Sequence, residues 1–325
     1  MNSKVSAFIL NFNLSDLLQR CVTSLLQQPE INEIMIIDNA SSSDMHDCYT
    51  AIATQCASQG CKCVIDYRQP MISFAEAQNW GLDHASNDFV LLMNNDAYFR
   101  DPDSLKTSVD LMQRNSDIYL VGHMIKDEAG ALNHAGLFYN YSIQHFDHIG
   151  RGKTSHRYAI GRKLWVVTAA CLLVKRSNLR MDLNYWYECE DADFCLQHRQ
   201  RGLSVYYNPA AVIIHNESST RSAKVAKDPS WQKSFIDSQT YFKKKWNSEK
   251  PKFIATNISD NWHETPHYFI EQSEYWGNWV GTVVLASILF HIGGVRLIII
   301  SVVGFLLGRF FLKTLVLVAL NLKGK

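Results

Sequence analysis

Three short polar clusters follow apolar runs in the first hundred residues: Asn11-Phe12-Asn13, Asp38-Asn39-Ala40-Ser41 and Asn94-Asn95-Asp96. Carboxamides and carboxylates of this kind bind hydroxyls, N–H groups and oxygen-seeking cations. A fourth cluster, Glu188, Glu190, Asp191 and Asp193, crowds four carboxylates ahead of Phe194 and Leu196, and His198, Arg199 and Arg201 follow before Gly202. Acids first and cations last describe a helix matched to its own dipole and closed by glycine. Four acids exceed what capping requires, which leaves some for proton transfer. Neither G-x-G-x-x-G nor G-x-x-x-x-G-K-S/T occurs, so a nicotinamide dehydrogenase and a P-loop ATPase are both unsupported. A nucleotide-like ligand without a glycine phosphate loop needs another positive charge, and a metal held by Asp96 would supply it.

The elements that must position these groups alternate between strand and helix. Val5 to Leu10, Ile34 to Ile37, Cys63 to Tyr67 and Phe89 to Met93 are short apolar strands. Between them, Ser15 to Gln28 is expected to be a helix capped by Ser15 and stopped at Pro29. A second helix follows Ser41-Ser42-Ser43-Asp44, and a third covers Ala75 to His84. This alternation predicts an α/β domain with right-handed crossovers and a parallel sheet, whose ligands bind beyond the strands' carboxyl ends. The three polar clusters stand at that rim. Val166 to Val174 is expected to be a further buried strand, and Ala210 to Ile214 an apolar run ending at His215.

Five segments together resemble family 2 glycosyltransferases, most of all the bacterial rhamnosyltransferase-type branch. They are Val5 to Asn13, the Ile36-Ile37-Asp38-Asn39-Ala40-Ser41 step, Phe74 to Gly81 with Asn79, Leu91 to Asp96, and Tyr187 to Leu196. The resemblance covers roughly residues 4 to 221 and implies an α/β GT-A fold with a mixed, mainly parallel central sheet. It further implies a nucleotide-sugar half (about 1–96) and an acceptor half (97–222) in one catalytic domain. By it, Asn11, Asn13, Asp38, Asn79, Asn95 and Ala169 are donor-binding residues, Asp38 beside the base or ribose. Asp96 and His215 become ligands of Mg²⁺ or Mn²⁺, the imidazole favouring manganese. Asp191, paired with Glu190, becomes the base that takes the acceptor's proton, and Asp193 the helix-dipole partner.

The implied reaction is a single in-line displacement with inversion, since no residue is nominated as the nucleophile of a two-step route. Small residues at Thr168-Ala169-Ala170 would let the donor sugar approach the backbone. Two departures from the family pattern stand out: Asn94 in place of a first Asp, and Met181 to Trp186 where a Gly-Phe-Asp-Glu-like stretch is common. Trp186 and Tyr187 could stack on a sugar or pack, and packing is favoured. A membrane-tethered, catalytically weak nucleotide-sugar binding or scaffold protein is the alternative that Asn94 permits.

The net charge of +1 conceals two unlike parts. Residues 277–325 carry five cations and no acid, leaving 27 Lys and Arg against all 31 acids in residues 1–276. That acidic balance makes nucleic acid a poor partner. Gly277 to Val295 is apolar over the ~20 residues a helix needs to cross a bilayer. Leu297 to Leu320 follows, interrupted by Arg309 and Lys313. The tail is therefore expected to be apolar membrane helices, either a transmembrane or re-entrant hairpin or interfacial helices with snorkelling cations, with a buried helical pair as the remaining reading. A helical extension (223–276) precedes it, in which Trp231, Phe235, Phe242 and Trp246 form a core-facing stripe and Lys243-Lys244-Lys245 a solvated face. Eight cysteines without a C-x-x-C pair, and no secretory leader, favour a reducing compartment. Location on the cytoplasmic face of a bacterial inner membrane, with a glycan or lipid-linked glycan acceptor, is the combined expectation.

Overall fold

A computed structural model of the chain describes residues 3–140, 145–153, 158–215 and 229–246, all within a compact unit that runs from Met1 to Lys250. The apolar tail and most of the segment before it lie outside the described residues. No described helix is long and apolar enough to cross a membrane.

Four strands, β1 (Val5–Asn11), β2 (Ile31–Asn39), β3 (Lys62–Arg68) and β4 (Phe89–Asn94), form a parallel half-sheet in the order β3-β2-β1-β4. β1, β2 and β4 are apolar on both faces because helices cover both, as parallel sheets require. The helices α1 (Ser15–Leu26), α2 (His46–Ser58) and α3 (Phe74–His84) make the crossovers. Leu18, Cys21, Val22 and Leu25 of α1 fall three or four residues apart and are buried together. Ser15 is the first helical residue and not the cap; Leu14, in a left-handed conformation, takes the capping position without a side-chain bond. α3 instead has an N-cap in Ser73, whose hydroxyl accepts the Glu76 N–H at 3.1 Å.

Beyond β4 the sheet changes character. After β5 (Ala97–Phe99), α4 (Lys106–Arg114), β6 (Ile118–Lys126) and β7 (Leu132–His134) come β8 (Leu137–Asn140) and β9 (His145–His148), a separate two-stranded ribbon. β10 (Arg162–Leu164), β11 (Cys171–Lys175), α5 (Glu190–Gln200), β12 (Ser204–His215) and α6 (Pro229–Trp246) complete the described chain. β11 inserts between β4 and β6, antiparallel to both, while β12 runs parallel to β6 and antiparallel to β5 and β10. The sheet is thus mixed, with parallel pairing concentrated in its first half; short connections in the second half return strands antiparallel, where a parallel return needs a long crossover. The strand expected from Val166 starts only at Cys171. The residues before it leave the ladder, Val166 making a bridge to Leu137 and the Ala170 carbonyl accepting the Asn94 N–H at 3.0 Å.

β1 and β4 are adjacent although two strands and three helices separate them in sequence, so crossovers depart from this pair in opposite directions. A sheet opens a crevice at such a switch point.

Candidate functional site

A cavity of about 310 Å³ lies at that crevice. Its floor is Asn94, Asn95 and Asp96 at the end of β4; one wall comes from Thr168 to Ala170 and the start of α5, and another from the β8–β9 ribbon.

Behind the floor runs a buried polar rail. Asn95 Nδ2 donates to Asn11 Oδ1 at 2.7 Å, Asn11 Nδ2 to Tyr49 Oη at 3.0 Å, and Tyr49 Oη to Asp38 Oδ2 at 2.5 Å. The other Asp38 oxygen accepts the Ser41 N–H at 2.8 Å. Burial first, and then the neighbouring Asp38, push the Tyr49 phenol up, so it remains a donor. Three strand ends are locked in register by this chain, since Asn11 and Asp38 are also opposite each other in the β1–β2 ladder. Of the six donor-binding candidates, Asn95 and Ala169 line the cavity; Asn11 and Asp38 stand behind it. Asn13 organises the adjoining loop, its Oδ1 accepting the Ser42 and Ser43 N–H groups at 2.9 and 3.0 Å. Asn79 is placed elsewhere: its amide pairs at both ends with the Met181 backbone, at 2.8 Å each way.

Asp96 and His215 meet, as the sequence suggests. β5 pairs with the end of β12 so that His215 faces Ala97, and His215 Nε2 sits 3.1 Å from Asp96 Oδ1. Both side chains are buried, both line the cavity, and among the described residues His215 Nδ1 has no hydrogen-bond partner. Among the described residues no third His, Cys, Asp or Glu joins them at metal-binding distance.

Asp191 occupies the first turn of α5. The chain reaches it through Glu188 and Cys189, both with positive φ (81° and 72°), a costly conformation for side chains with Cβ and one that clusters at functional sites. The turn brings Glu188, Glu190 and Asp191 onto the cavity wall. Asp191 accepts the Ala169 N–H at 3.2 Å and the Ala192 N–H at 2.7 Å, with Thr168 as a further hydrogen-bond partner. Burial, and then the charge of Glu188, nevertheless raise its proton affinity above the ordinary carboxylate value. Ala169 therefore positions the carboxylate from the backbone while keeping the wall shallow.

Asp193 lies in the first turn of α5, where a helix-dipole partner belongs, and does more than that position requires. Its side chain is fully buried and accepts from Trp246 Nε1 at 2.8 Å, Gln197 Nε2 at 2.7 Å, Tyr185 Oη at 3.2 Å and Lys245 Nζ at 2.8 Å. Lys245 also reaches Asp182 at 2.6 Å, so one member of the lysine run is drawn inward as a clasp between α6 and α5. Phe242 and Trp246 are buried beside it, as the aromatic stripe requires; the Trp231 side chain lies outside the described residues. Trp186 departs from the packing expectation: it is 42% exposed on the cavity rim, whereas Tyr185 before it is the buried ring.

Sequence reading missed the β8–β9 wall. Leu137, Phe146, His148 and Arg151 line the cavity, and the one signal that could have found them is Gly150-Arg151-Gly152, a cation set between two glycines.

Residues 6–180 match the family described as glycosyl transferase family 2. The chain belongs to that family, and its mixed sheet is that of the GT-A fold. It is 24% identical over 232 residues to an O-antigen biosynthesis protein, RfbC, of Myxococcus xanthus, covering 68% of this chain and 18% of that one. It is 25% identical over 192 residues to an uncharacterized protein, y4gI, of Sinorhizobium fredii, covering 54% and 20%. The chain thus spans about a fifth of the length of these relatives. Among solved structures, a mannosyltransferase of Pyrobaculum calidifontis in complex with GDP-Man and Mn²⁺ aligns at TM-score 0.54 and 14% identity, over 99% of this chain and 87% of that one. GalNAc-T7 with UDP, GalNAc and Mn²⁺ aligns at 0.53 and 12% identity, over 66% and 44%. At these identities the likeness is one of fold.

Proposed function

We propose that the cavity is the active site of an inverting glycosyltransferase, which moves a sugar from a nucleoside-diphosphate donor, dTDP-rhamnose or a UDP-sugar, to a hydroxyl of a glycan acceptor. The observation that carries this reading is that Asp96 with His215, and Asp191 with Ala169, face one cavity from separate elements of the fold. Asp191 is the base. Its two oxygens have about four acceptor positions, so the N–H groups of Ala169 and Ala192 orient the carboxylate and leave a lone pair for the acceptor's proton. As the acceptor oxygen bonds to the anomeric carbon, the bond from that carbon to the diphosphate breaks. The electron pair leaves on the diphosphate, and the acceptor's proton passes to Asp191. A raised proton affinity suits a base for a hydroxyl, because proton transfer becomes more favourable while the group is still ionised near neutrality.

The chemistry of the donor set fits a divalent cation. Asp96 supplies a hard oxygen, His215 keeps one buried ring nitrogen without a partner among the described residues, and two protein ligands leave room for phosphate oxygens and water. When bound, such a cation neutralises charge that grows on the departing diphosphate. Manganese is favoured over magnesium by the imidazole. The two fold neighbours, solved with UDP or GDP-Man and Mn²⁺, support a nucleotide-sugar donor and a divalent metal.

The match to an O-antigen biosynthesis protein supports a lipid-linked or cell-surface glycan as acceptor. With the apolar, cationic composition of residues 277–325, it also supports work at the cytoplasmic face of a bacterial inner membrane. Melting of the protein with dTDP, UDP or GDP, each with and without Mn²⁺, tests the reading. One nucleotide should stabilise it in a metal-dependent manner, by about 2.7 kcal/mol at a hundred times its dissociation constant. No stabilisation by any of the three would overturn it.

A further inference from the structure

The cavity holds four carboxylates, Asp96, Glu188, Glu190 and Asp191. Against them, among the described residues that line it, Arg151 is the only Lys or Arg. A diphosphate entering this space adds negative charge to a wall that is already acidic. Asp96 and His215 can hold a cation on the floor; the opposite wall has Arg151 and, three residues before it, His148.

The backbone that carries Arg151 is built, not merely exposed. Gly150 and Gly152 both have positive φ (77° and 71°), which turns the chain sharply on either side of the arginine. The Gly152 N–H donates to the Leu132 carbonyl at 2.8 Å, and the Lys153 N–H to that of Gly150 at 2.9 Å. A Cβ at Gly150 would stand 2.7 Å from Leu132 Cδ2 and 2.9 Å from the Tyr158 ring, so the turn is seated directly on the first residue of β7 and on Tyr158. Nearby, His148 Nδ1 lies 3.1 Å from Nδ1 of the buried His134, which fixes the imidazole at the cavity wall. A long cationic side chain is thereby mounted on a fixed turn, at the edge of the cavity.

We infer that Arg151 is the side chain that grips the phosphoryl oxygens of the donor's diphosphate, with the Gly150–Gly152 turn as its mount. A planar guanidinium presents paired N–H donors that match two phosphate oxygens at once, which a lysine cannot do. It would face the diphosphate from the side away from Asp96, so that the leaving charge is held between two positive centres and kept apart from Glu188 and Asp191. The inference rests on the reading of the cavity as a nucleotide-sugar site, and it names a residue that acts at the leaving group.

Calorimetric titration of wild type, Arg151→Met and Arg151→Lys tests it, using UDP, dTDP and GDP against uridine, thymidine and guanosine in the presence of Mn²⁺. In Arg151→Met the affinity for the bound diphosphate should fall at least tenfold while that for its nucleoside is unchanged, and Arg151→Lys should recover part of the loss. Unchanged melting in the absence of ligand checks the fold, as expected for a side chain that is solvent-exposed. Equal diphosphate affinity in wild type and Arg151→Met would overturn the inference. So would a loss confined to farnesyl diphosphate, a lipid diphosphate probe, because it would move Arg151 to the acceptor side. A wild-type protein that binds none of the three diphosphates would instead overturn the underlying functional reading.

Discussion

Lys245→Met cuts the clasp that fastens α6 to the base-bearing helix. Lys245 Nζ is 2.6 Å from Asp182 and 2.8 Å from Asp193, and Asp193 has no solvent exposure. Removing one partner of a buried ion pair costs about 3–5 kcal/mol, because the remaining charge stays desolvated. Lys245 is itself 29% exposed, and Trp246, Gln197 and Tyr185 still donate to Asp193, so the lower end, about 3 kcal/mol, applies. For a unit of this size that corresponds to a fall in melting temperature of about 6–12 °C. Methionine keeps most of the aliphatic stem, which separates lost charge from lost packing.

The effect has a defined pH range. Burial alone would raise the Asp182 carboxyl, but hydrogen bonds from Lys245, Asn184 and Tyr241 win and hold it down at about 2. The folded state thus releases this proton more readily than the unfolded chain does. The stabilisation is complete above the ordinary carboxylate value of 3.8 and is lost as pH falls towards 2. Urea unfolding followed by tryptophan fluorescence should show the gap between wild type and Lys245→Met narrowing over that interval. A double-mutant cycle with Asp193→Asn should return a coupling of about 1–3 kcal/mol. If Asp193 acted only on the helix dipole, its loss would cost less than about 1 kcal/mol and the cycle would be additive. That outcome would refute the clasp.

Two further outcomes follow from the site. Because burial and Glu188 raise the Asp191 proton affinity, the acid limb of kcat/KM should lie above 3.8, with activity lost as pH falls through it; Glu188→Gln should move that limb to lower pH, and an unmoved limb would contradict the assignment. Asn79→Ala leaves both the N–H and the C=O of Met181 without their partner and should cost about 1–3 kcal/mol in chemical denaturation. The same variant should bind the donor nucleotide as wild type does, since the amide lies away from the cavity.

Local patterns account for what could be read before the structure. Apolar strands ending in Asn11, Asp38 and Asn94 announced a sheet with polar carboxyl ends, because the strand period and the turn chemistry agree at each of them. Asp96 and His215 were legible as a pair only through the resemblance; 119 positions apart in number, they are joined by the β5–β12 ladder, which no local signal encodes. Asp193 was read only in part, because a carboxylate in the first turn of a helix looks alike whether it meets the dipole alone or also a lysine from a distant helix. The antiparallel insertion of β11 was missed for a similar reason: a buried apolar run has the same composition in either direction. Arg151 escaped notice because its importance comes from the carboxylates opposite, contributed by elements some 40 residues later.

The central claim is that Asp191 takes the acceptor's proton in a cavity where Asp96 and His215 help hold the donor. Asp191→Asn preserves shape while removing the base, and its carbonyl oxygen keeps one of the two N–H contacts, which reach different carboxylate oxygens in wild type. With the stabilising nucleotide sugar and Mn²⁺, turnover measured as nucleotide release should fall by at least about 10²-fold, and nucleotide affinity by titration should stay within about twofold. Turnover equal to wild type in Asp191→Asn would contradict the account.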